Sequence, residues 1–198
     1  MGILAYGSLF GDPGEELGPL VVDRIEGVNT PFPVEFARQS RTRDGAPTLV
    51  PFREGNARVK ATVLVLEERV SESEAADILW RRETRQEGSG ERYIAPAQPD
   101  PNTVLVQRLQ HFEGLDVVLY AEIGANIPDL SPRGLAERAI RSAESHVGRR
   151  KRDGITYLLD VKKNGVETPL MPEYEKEILR LTATETLEQA REKLVGNT

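Results

Sequence analysis

The chain places almost all of its strand-like segments before residue 125 and most of its helical segments after residue 130. Strands and helices that are segregated along a chain are typical of α+β folds, whereas doubly wound folds alternate them. The sequence therefore predicts an α+β protein. About seven short strands suit a mixed sheet that is strongly curved or closed into a β-barrel flanked by helices.

The predicted strands are short apolar runs bounded by glycine, proline or asparagine, which is the pattern of half-buried or buried strands. They cover residues 2–7, 19–28, 32–40, 47–52, 58–67, 102–109 and 115–124. The clearest is "RVKATVLVLE" at 58–67, because it is rich in valine, leucine and threonine. The Gly55-Asn56 pair before it is a turn signal.

Helix starts are marked by capping residues. Ser71 followed by Glu74 matches a capping box and gives the best-defined start. Further helices are predicted at 131–148, 153–165 and 172–196, the last with a break near 182–184. The length favours one domain over residues 1–198, with a helical C-terminal extension from about residue 172.

The net charge of the chain disfavours some classes of binding partner. The chain has 26 basic and 32 acidic residues, hence a net charge of -6, which does not attract nucleic acid or an anionic membrane. It contains no cysteine, so disulfides, thiol catalysis and cysteine-bound zinc are excluded. No apolar stretch has the length of a membrane span and no signal peptide opens the chain. We therefore expect a cytoplasmic protein. The two histidines, His111 and His146, do not lie at metal-ligand spacing, so the sequence predicts no metal site.

The first strand ends in Tyr6-Gly7-Ser8-Leu9, an unusual turn because a tyrosine precedes the glycine and an apolar residue follows the serine. The stretch is not G-x-S-x-G, so it is not a nucleophile elbow. Small residues leave the backbone uncluttered, and its N–H groups can then point at an anion. The next segment, "GDPGEELG" at 11–18, lacks the end of a P-loop and is interpreted as a surface loop.

A second notable stretch is "WRRETRQEGSGERY" at 80–93. Glu83 falls at the expected end of the helix from Ser71, between Arg82 and Arg85. Such a glutamate can be part of a surface ion pair. The apolar residues 78–80 directly before it could instead draw the helix end toward the interior. A carboxylate there would lose part of its hydration and could serve as a general base.

These two stretches together resemble the γ-glutamylcyclotransferase superfamily, and they are most similar to its ChaC-type, glutathione-specific branch. In that branch a Y-G-S-L turn is followed by a segment L-D-Y-R-E, whose glutamate is catalytic. Here "LWRRE" at 79–83 keeps the leucine, the arginine and the glutamate. The stretches at 42–52 and 156–165 also look like that branch, and Tyr157 matches a tyrosine there. The resemblance covers most of residues 1–180.

The resemblance implies a γ-glutamylcyclotransferase-like fold and a reaction that needs no cofactor. The α-amine of a γ-glutamyl peptide or amine attacks its own side-chain carbonyl, so that 5-oxoproline forms and the amine beyond the γ-amide leaves. Glu83 would be the general acid/base of this reaction. The small-molecule γ-glutamyl substrate would be bound by Tyr6, Gly7, Ser8, Leu9 and Tyr157.

Some features depart from the ChaC-type pattern. Trp80 replaces its aspartate, and the loop at 84–92 is longer. That loop contains Glu87-Gly88, and other branches of the superfamily present their catalytic glutamate in such a pair, so Glu87 is a second candidate for the base. Two alternative functions stay open. One is a catalytically inactive small-molecule-binding or regulatory protein on the same scaffold. The other is removal of a γ-glutamyl group from an amine in a biosynthetic pathway.

Overall fold

The computed structural model describes residues 1–196, which form an α+β fold, as predicted. The strands are β1 Gly2–Ala5, β2 Val21–Asn29, β3 Val34–Ser40, β4 Ala46–Pro51, β5 Lys60–Leu66, β6 Leu105–Phe112 and β7 Leu115–Glu122. The helices are α1 Ser8–Gly11, α2 Glu72–Thr84, α3 Pro132–Glu144, α4 His146–Arg149, α5 Gly154–Lys163, α6 Met171–Thr182 and α7 Leu187–Gly196. Among the helices within residues 1–196, none has the length and apolar character to cross a membrane.

Five strands form one mixed sheet in the order β2-β5-β1-β7-β6, whereas β3 and β4 form a separate antiparallel pair. β1 lies in the middle, antiparallel to β5 and parallel to β7. All four residues of β1 are buried, as expected for a central strand. The turn that follows β1 therefore starts from the most enclosed strand of this sheet.

The backbone separates into two compact units. The first contains residues 1–31 and 59–124, and with them the five-stranded sheet, α1 and α2. The second contains residues 32–58 and continues from residue 125 through the C-terminal helices, so that it holds β3, β4 and α3 to α7. The single domain over residues 1–198 stays a prediction.

The core of the first unit lies between α2 and one face of the sheet. Ser71 caps α2 as predicted, because its hydroxyl accepts a hydrogen bond from the N–H of Glu74 at 3.2 Å. Full burial of an isoleucine or leucine side chain contributes about 1.5–3 kcal/mol to the stability of a fold. The buried side chains that form the core include Ile3, Ala5, Leu9, Leu64, Leu66, Ala75, Ile78 and Leu79.

The C-terminal end of α2 is set by backbone geometry. Arg85 adopts a left-handed conformation with φ 60°, and the N–H of Gln86 donates to the carbonyl of Arg81 at 2.8 Å. This is the hydrogen-bond pattern of a Schellman motif, in which a left-handed residue ends the helix. Residues 85–104 then have no regular secondary structure, as the sequence predicts for the loop after Glu83.

The second unit is largely helical, with α3 packed against α5, α6, α7 and β4. The predicted single helix over 131–148 is wrong, because the chain breaks at Ser145 into α3 and α4. Ser145 is extended, with ψ 179°, and its hydroxyl donates to the carbonyl of Ser142 at 2.8 Å. The predicted break within 172–196 is confirmed at Ala183, where φ is 50°.

We predict that Ile3→Ala lowers the free energy of unfolding by about 2–5 kcal/mol, because Ile3 is 0% exposed and its truncation leaves a cavity. Ile94→Ala is the matched control, since Ile94 is 83% exposed, and its effect should stay within about 0.5 kcal/mol. Urea denaturation followed by Trp80 fluorescence measures both, because the chain has 1 tryptophan and it lies in the first unit. Equal losses in the two variants would contradict this description of the core.

Candidate functional site

The candidate site begins at the turn between β1 and α1. Gly7 has φ 72° and ψ -133°, a backbone conformation that glycine adopts readily and other residues rarely. The N–H of Phe10 donates to the carbonyl of Gly7 at 3.2 Å and thereby closes the turn. Ser8 is exposed, whereas Leu9 is 3% exposed and belongs to the core of the first unit. Both open α1, and first-turn N–H groups have no acceptor within their own helix.

Tyr6 fixes the start of this turn to the sheet. Its hydroxyl donates to the carbonyl of Ala121 on β7 at 2.7 Å, and its ring is half-buried. A hydrogen bond between residues 115 positions apart orders the turn through tertiary structure and not through local sequence. Tyr6 therefore holds the end of β1 against β7.

One guanidinium joins the turn to the end of α2. Nη1 of Arg82 donates to Oγ of Ser8 at 3.2 Å and to Oε1 of Glu83 at 2.5 Å. Nη2 donates to the carbonyl of Asp12 at 2.6 Å. The side chain of Arg82 is only 10% exposed, so most of its surface is covered by the protein. The structure thus brings the predicted substrate turn and the predicted base to the same side chain.

Glu83 combines partial burial with a fixed orientation. Its side chain is 26% exposed, and the charge-assisted hydrogen bond from Arg82 holds one carboxylate oxygen in place. A general base needs to sit within hydrogen-bond reach of the proton that it removes, so a carboxylate held at a defined position suits this role. The geometry is compatible with the role predicted for Glu83.

Glu87, the second candidate for the base, makes a different kind of contact. Its Oε1 accepts the N–H of Glu15 at 2.8 Å and the N–H of Glu16 at 3.4 Å. Gly14 has φ +88°, and a Cβ at that position would collide with the carboxylate of Glu87. Glu87 therefore fastens its own loop to the segment at 12–16.

Glu16 makes the reciprocal contact. Its Oε2 accepts from Nε and Nη2 of Arg81 at 2.9 Å and 2.5 Å, and its Oε1 accepts the N–H of Gly88. Nη1 of Arg81 also donates to the carbonyl of Glu91 at 2.6 Å. The hydrogen bonds from Arg81, followed by that from Gly88, hold the pKa of Glu16 below its usual range, against the opposing effect of burial.

We refer to the contacts of Glu16, Arg81 and Glu87 with these backbone groups as the loop clasp. The prediction of a surface loop at 11–18 does not include these contacts. The signal available in the sequence is a Glu15-Glu16 pair on one segment and an Arg81-Arg82 pair on another. Pairs of opposite charge show complementarity, but not which partner each side chain takes.

The far part of the loop is held by Tyr93. Its N–H donates to Oδ1 of Asp77 at 2.7 Å, and its hydroxyl accepts the N–H of Val106 at 3.1 Å. The rings of Tyr93 and Trp80 lie 6.4 Å apart at an angle of 45°. Trp80 thus lies beside the loop that follows α2.

Tyr157, the remaining predicted substrate-binding residue, lies on α5 of the second unit. It is 4% exposed, and its hydroxyl accepts the N–H of Leu49 at 3.3 Å. The guanidinium carbon of Arg43 lies 4.7 Å from the centre of its ring, a cation–π contact. Burial lowers the pKa of Arg43, as does the nearby charge of Arg152. The substrate-binding role of Tyr157 stays a prediction.

The carboxylates of this site bind N–H donors. Glu83 and Glu16 contact arginine side chains, and Glu87 contacts backbone N–H groups. Within the part of the chain that the structure describes, no three or more histidine, cysteine, aspartate or glutamate residues form a group that could hold a metal ion. The absence of a metal and of a cofactor stays a prediction from the sequence.

Comparison of the chain with protein-family models gives no match, and comparison with curated proteins gives none either.

We predict that Gly7→Ala destabilises the protein by about 1–3 kcal/mol, because alanine is strained at φ 72° and ψ -133°. The matched control is Gly11→Ala at the end of the same short helix, where a Cβ would meet nothing within 4 Å. There the substitution should be neutral or stabilise by up to about 1 kcal/mol. Urea denaturation of both variants measures the difference, and equal stabilities would disprove the strain at Gly7.

We also predict that Glu16→Gln lowers the free energy of unfolding by about 1–2 kcal/mol at pH 7, because it weakens a charge-assisted contact that is partly open to solvent. Since the pKa of Glu16 is lowered on folding, the ionised carboxylate stabilises the fold above its ordinary pKa of about 4.3. That contribution is lost as the pH falls through the lowered folded value. The difference between the two proteins should therefore shrink as the pH falls below about 4.

Denaturation curves between pH 3 and pH 7 test this prediction. The control is Glu67→Gln, whose ion pair with Arg69 has side chains that are 30% and 70% exposed and should contribute less. A loss in Glu16→Gln that is the same at every pH would contradict the role of the ionised carboxylate.

Proposed function

We propose that this chain is a γ-glutamylcyclotransferase that releases 5-oxoproline from a γ-glutamyl peptide or amine, with Glu83 as the general acid/base. One observation carries the proposal: Nη1 of Arg82 bonds to both Oγ of Ser8 and Oε1 of Glu83. The resemblance implies one role for the turn and another for the glutamate, and both roles require the two to be neighbours. Residues that are far apart in sequence meet this requirement at a single guanidinium.

The scaffold that we propose is a γ-glutamylcyclotransferase-like sheet that is strongly curved or closed into a barrel and flanked by helices. Its support is the mixed strand order, with β1 parallel to β7 at the centre. β2 also shifts its register against β5 at two places, between Val21 and Asp23 and between Ile25 and Val28. Irregularities of this kind increase the twist and bend of a strand.

The proposed reaction begins with proton removal. The α-amine of a peptide-like substrate has a pKa of about 8 and is mostly protonated at neutral pH. The carboxylate of Glu83 takes one proton from it, and the nitrogen then forms a bond to the γ-carbonyl carbon. Glu83 returns the proton to the leaving nitrogen as the γ-amide bond breaks, and the ring nitrogen gives up its second proton to the departing amine, so that a five-membered lactam and an ammonium product result. General acid–base catalysis of this kind contributes about 10²–10⁴-fold in rate.

The turn would hold the glutamyl group for this attack. The reacting nitrogen and carbon must approach within about 3–3.5 Å, and this requires a folded glutamyl chain. We propose that the N–H groups of Ser8 and Leu9 face a substrate carboxylate or the developing oxyanion. Gly7 would permit the close approach of the backbone, and Tyr6 would border the pocket.

The structure gives a reason to prefer Glu83 to Glu87 within this proposal. The Oε1 of Glu87 already accepts two backbone N–H groups, and its carboxylate holds the loop clasp. A base that fastens a loop would have to release it when it takes a proton. Glu83 carries no such loop contact among the described residues, since its one hydrogen bond comes from Arg82.

The resemblance to the ChaC-type branch makes glutathione the first substrate to test, in a cytoplasmic setting. γ-Glutamyl amines are the second class, in keeping with the longer loop at 84–92. The alternative is a catalytically inactive small-molecule-binding or regulatory protein on the same scaffold. Trp80 supports this alternative, because it departs from the ChaC-type pattern and its ring lies beside that of Tyr93.

We predict that Glu83→Gln keeps the fold and loses about 10²-fold or more of the rate of 5-oxoproline formation, because glutamine cannot carry the proton. Glu87→Gln, the same chemical change four residues later, should retain most of the activity. The assay measures 5-oxoproline by chromatography from glutathione, γ-glutamyl dipeptides and γ-glutamyl amines. Circular dichroism confirms that each variant is folded.

Each result of this assay has one interpretation. An inactive Glu87→Gln with a fully active Glu83→Gln would assign the base to Glu87 and leave the reaction class intact. Binding of a γ-glutamyl compound with no 5-oxoproline from any substrate would favour the inactive binding protein and overturn the proposed activity.

A further inference from the structure

We infer that Arg82 binds the α-carboxylate of the γ-glutamyl substrate, so that the protein accepts only compounds in which this carboxylate is free. The inference rests on the proposed function and names the group that selects the substrate. It is carried by three features of the described residues: the unused donors of Arg82, the charge around it, and its position beside Glu83.

The first feature is the hydrogen-bonding capacity of the guanidinium. An arginine side chain has five N–H donors. Arg82 uses three of them, on Ser8, Glu83 and the carbonyl of Asp12. Within residues 1–196, the Nε–H and the second hydrogen of Nη2 have no acceptor. Nε and Nη2 form one edge of the planar group, and this edge suits the two oxygens of a carboxylate.

Arg81, the neighbouring arginine, shows the contrast. Its Nε and Nη2 already form a two-point contact with Glu16, and its Nη1 bonds to the carbonyl of Glu91. The corresponding edge of Arg81 is therefore occupied by a carboxylate of the protein itself. In Arg82 the same edge is the part of the side chain that is left for a ligand.

The second feature is charge. The chain has a net charge of -6, so a small anion is repelled at long range and needs a local cation in order to bind. A γ-glutamyl substrate with a free α-carboxylate carries a negative charge at this carboxylate. Arg82 is the cation that contacts the turn after β1, through Ser8 and the carbonyl of Asp12. Those contacts also hold the plane of the guanidinium in a fixed orientation.

The third feature is the pairing with Glu83. The α-carbon of a γ-glutamyl group carries an ammonium and a carboxylate side by side. Arg82 and Glu83 present the opposite charges, a guanidinium and a carboxylate with N and O only 2.5 Å apart. The substrate carboxylate and Glu83 would then bind different nitrogens of one guanidinium, and the ammonium is expected on the side of the substrate that faces Glu83. The binding contact would then place the proton beside the group that removes it.

The test compares two γ-glutamyl amides that differ only in having an α-carboxylate or an α-carboxamide. We expect wild-type protein to show a KM for the carboxylate compound about tenfold or more below that for the carboxamide. Arg82→Gln should remove this preference by raising the KM for the carboxylate compound by a larger factor than that for the carboxamide, so that the ratio of the two KM values approaches 1. Arg82→Lys should keep part of the preference, because it retains the charge and loses the planar fork.

Arg24→Gln is the matched control, because it makes the same change at an exposed position on β2 and should alter neither compound. If wild-type protein treats both compounds equally, or if Arg82→Gln reduces turnover of both in parallel, Arg82 only holds Glu83 and the inference is overturned while the proposed function stands. If Arg82→Gln does not fold, the wild-type ratio and Arg82→Lys decide.

A calorimetric binding arm separates the inference from the proposed function. If wild-type protein forms no 5-oxoproline, the proposed activity fails. A preference for binding the carboxylate compound that is lost in Arg82→Gln would still assign the carboxylate to Arg82. Absence of binding, or binding without preference, would overturn the inference as well.

Discussion

The candidate site depends on the hydrogen bonds that the guanidinium of Arg82 donates. Its acceptors are the hydroxyl of Ser8 in the turn after β1, the carbonyl of Asp12 at the end of α1, and the carboxylate of Glu83 on the same helix as Arg82. A planar fork with fixed donor directions can order three acceptors at once, which a flexible ammonium cannot do. The contact with Glu83 is partly buried and charge-assisted, which makes it the strongest kind of hydrogen bond among the three. The rest of the site is arranged around this group.

The loop clasp supports that arrangement from the outside. Arg81 and Arg82 are adjacent on α2, and adjacent helical residues point about 100° apart. Their side chains can therefore contact different segments. Arg82 bonds to the turn after β1, whereas Arg81 bonds to Glu16 and to the carbonyl of Glu91. From the loop, the carboxylate of Glu87 accepts hydrogen bonds from the backbone N–H groups of residues 15 and 16. The segment after α1 is thus held at both of its ends by residues that follow or belong to α2.

Local sequence was sufficient for most elements of the fold. Ser71 caps its helix and the break at Ala183 follows its predicted position, because both depend on residues only a few positions apart. The helix predicted over 131–148 breaks at Ser145, because the hydroxyl of that serine bonds to a backbone carbonyl and ends α3. Serine competes with the helix through such bonds, and the start and stop residues on which the prediction rests do not record this competition.

The site was less predictable, and for a different reason. The resemblance favours Glu83 as the base, but Glu83 and Glu87 are both glutamates close to arginines, so the charge pattern does not show which of them fastens the loop. The distinction arises from partners about 70 positions away, which only the folded chain supplies. In the proposed site Arg82 would hold Glu83 in place through one nitrogen and bind the substrate carboxylate through others. The same guanidinium would then position the base and select the substrate.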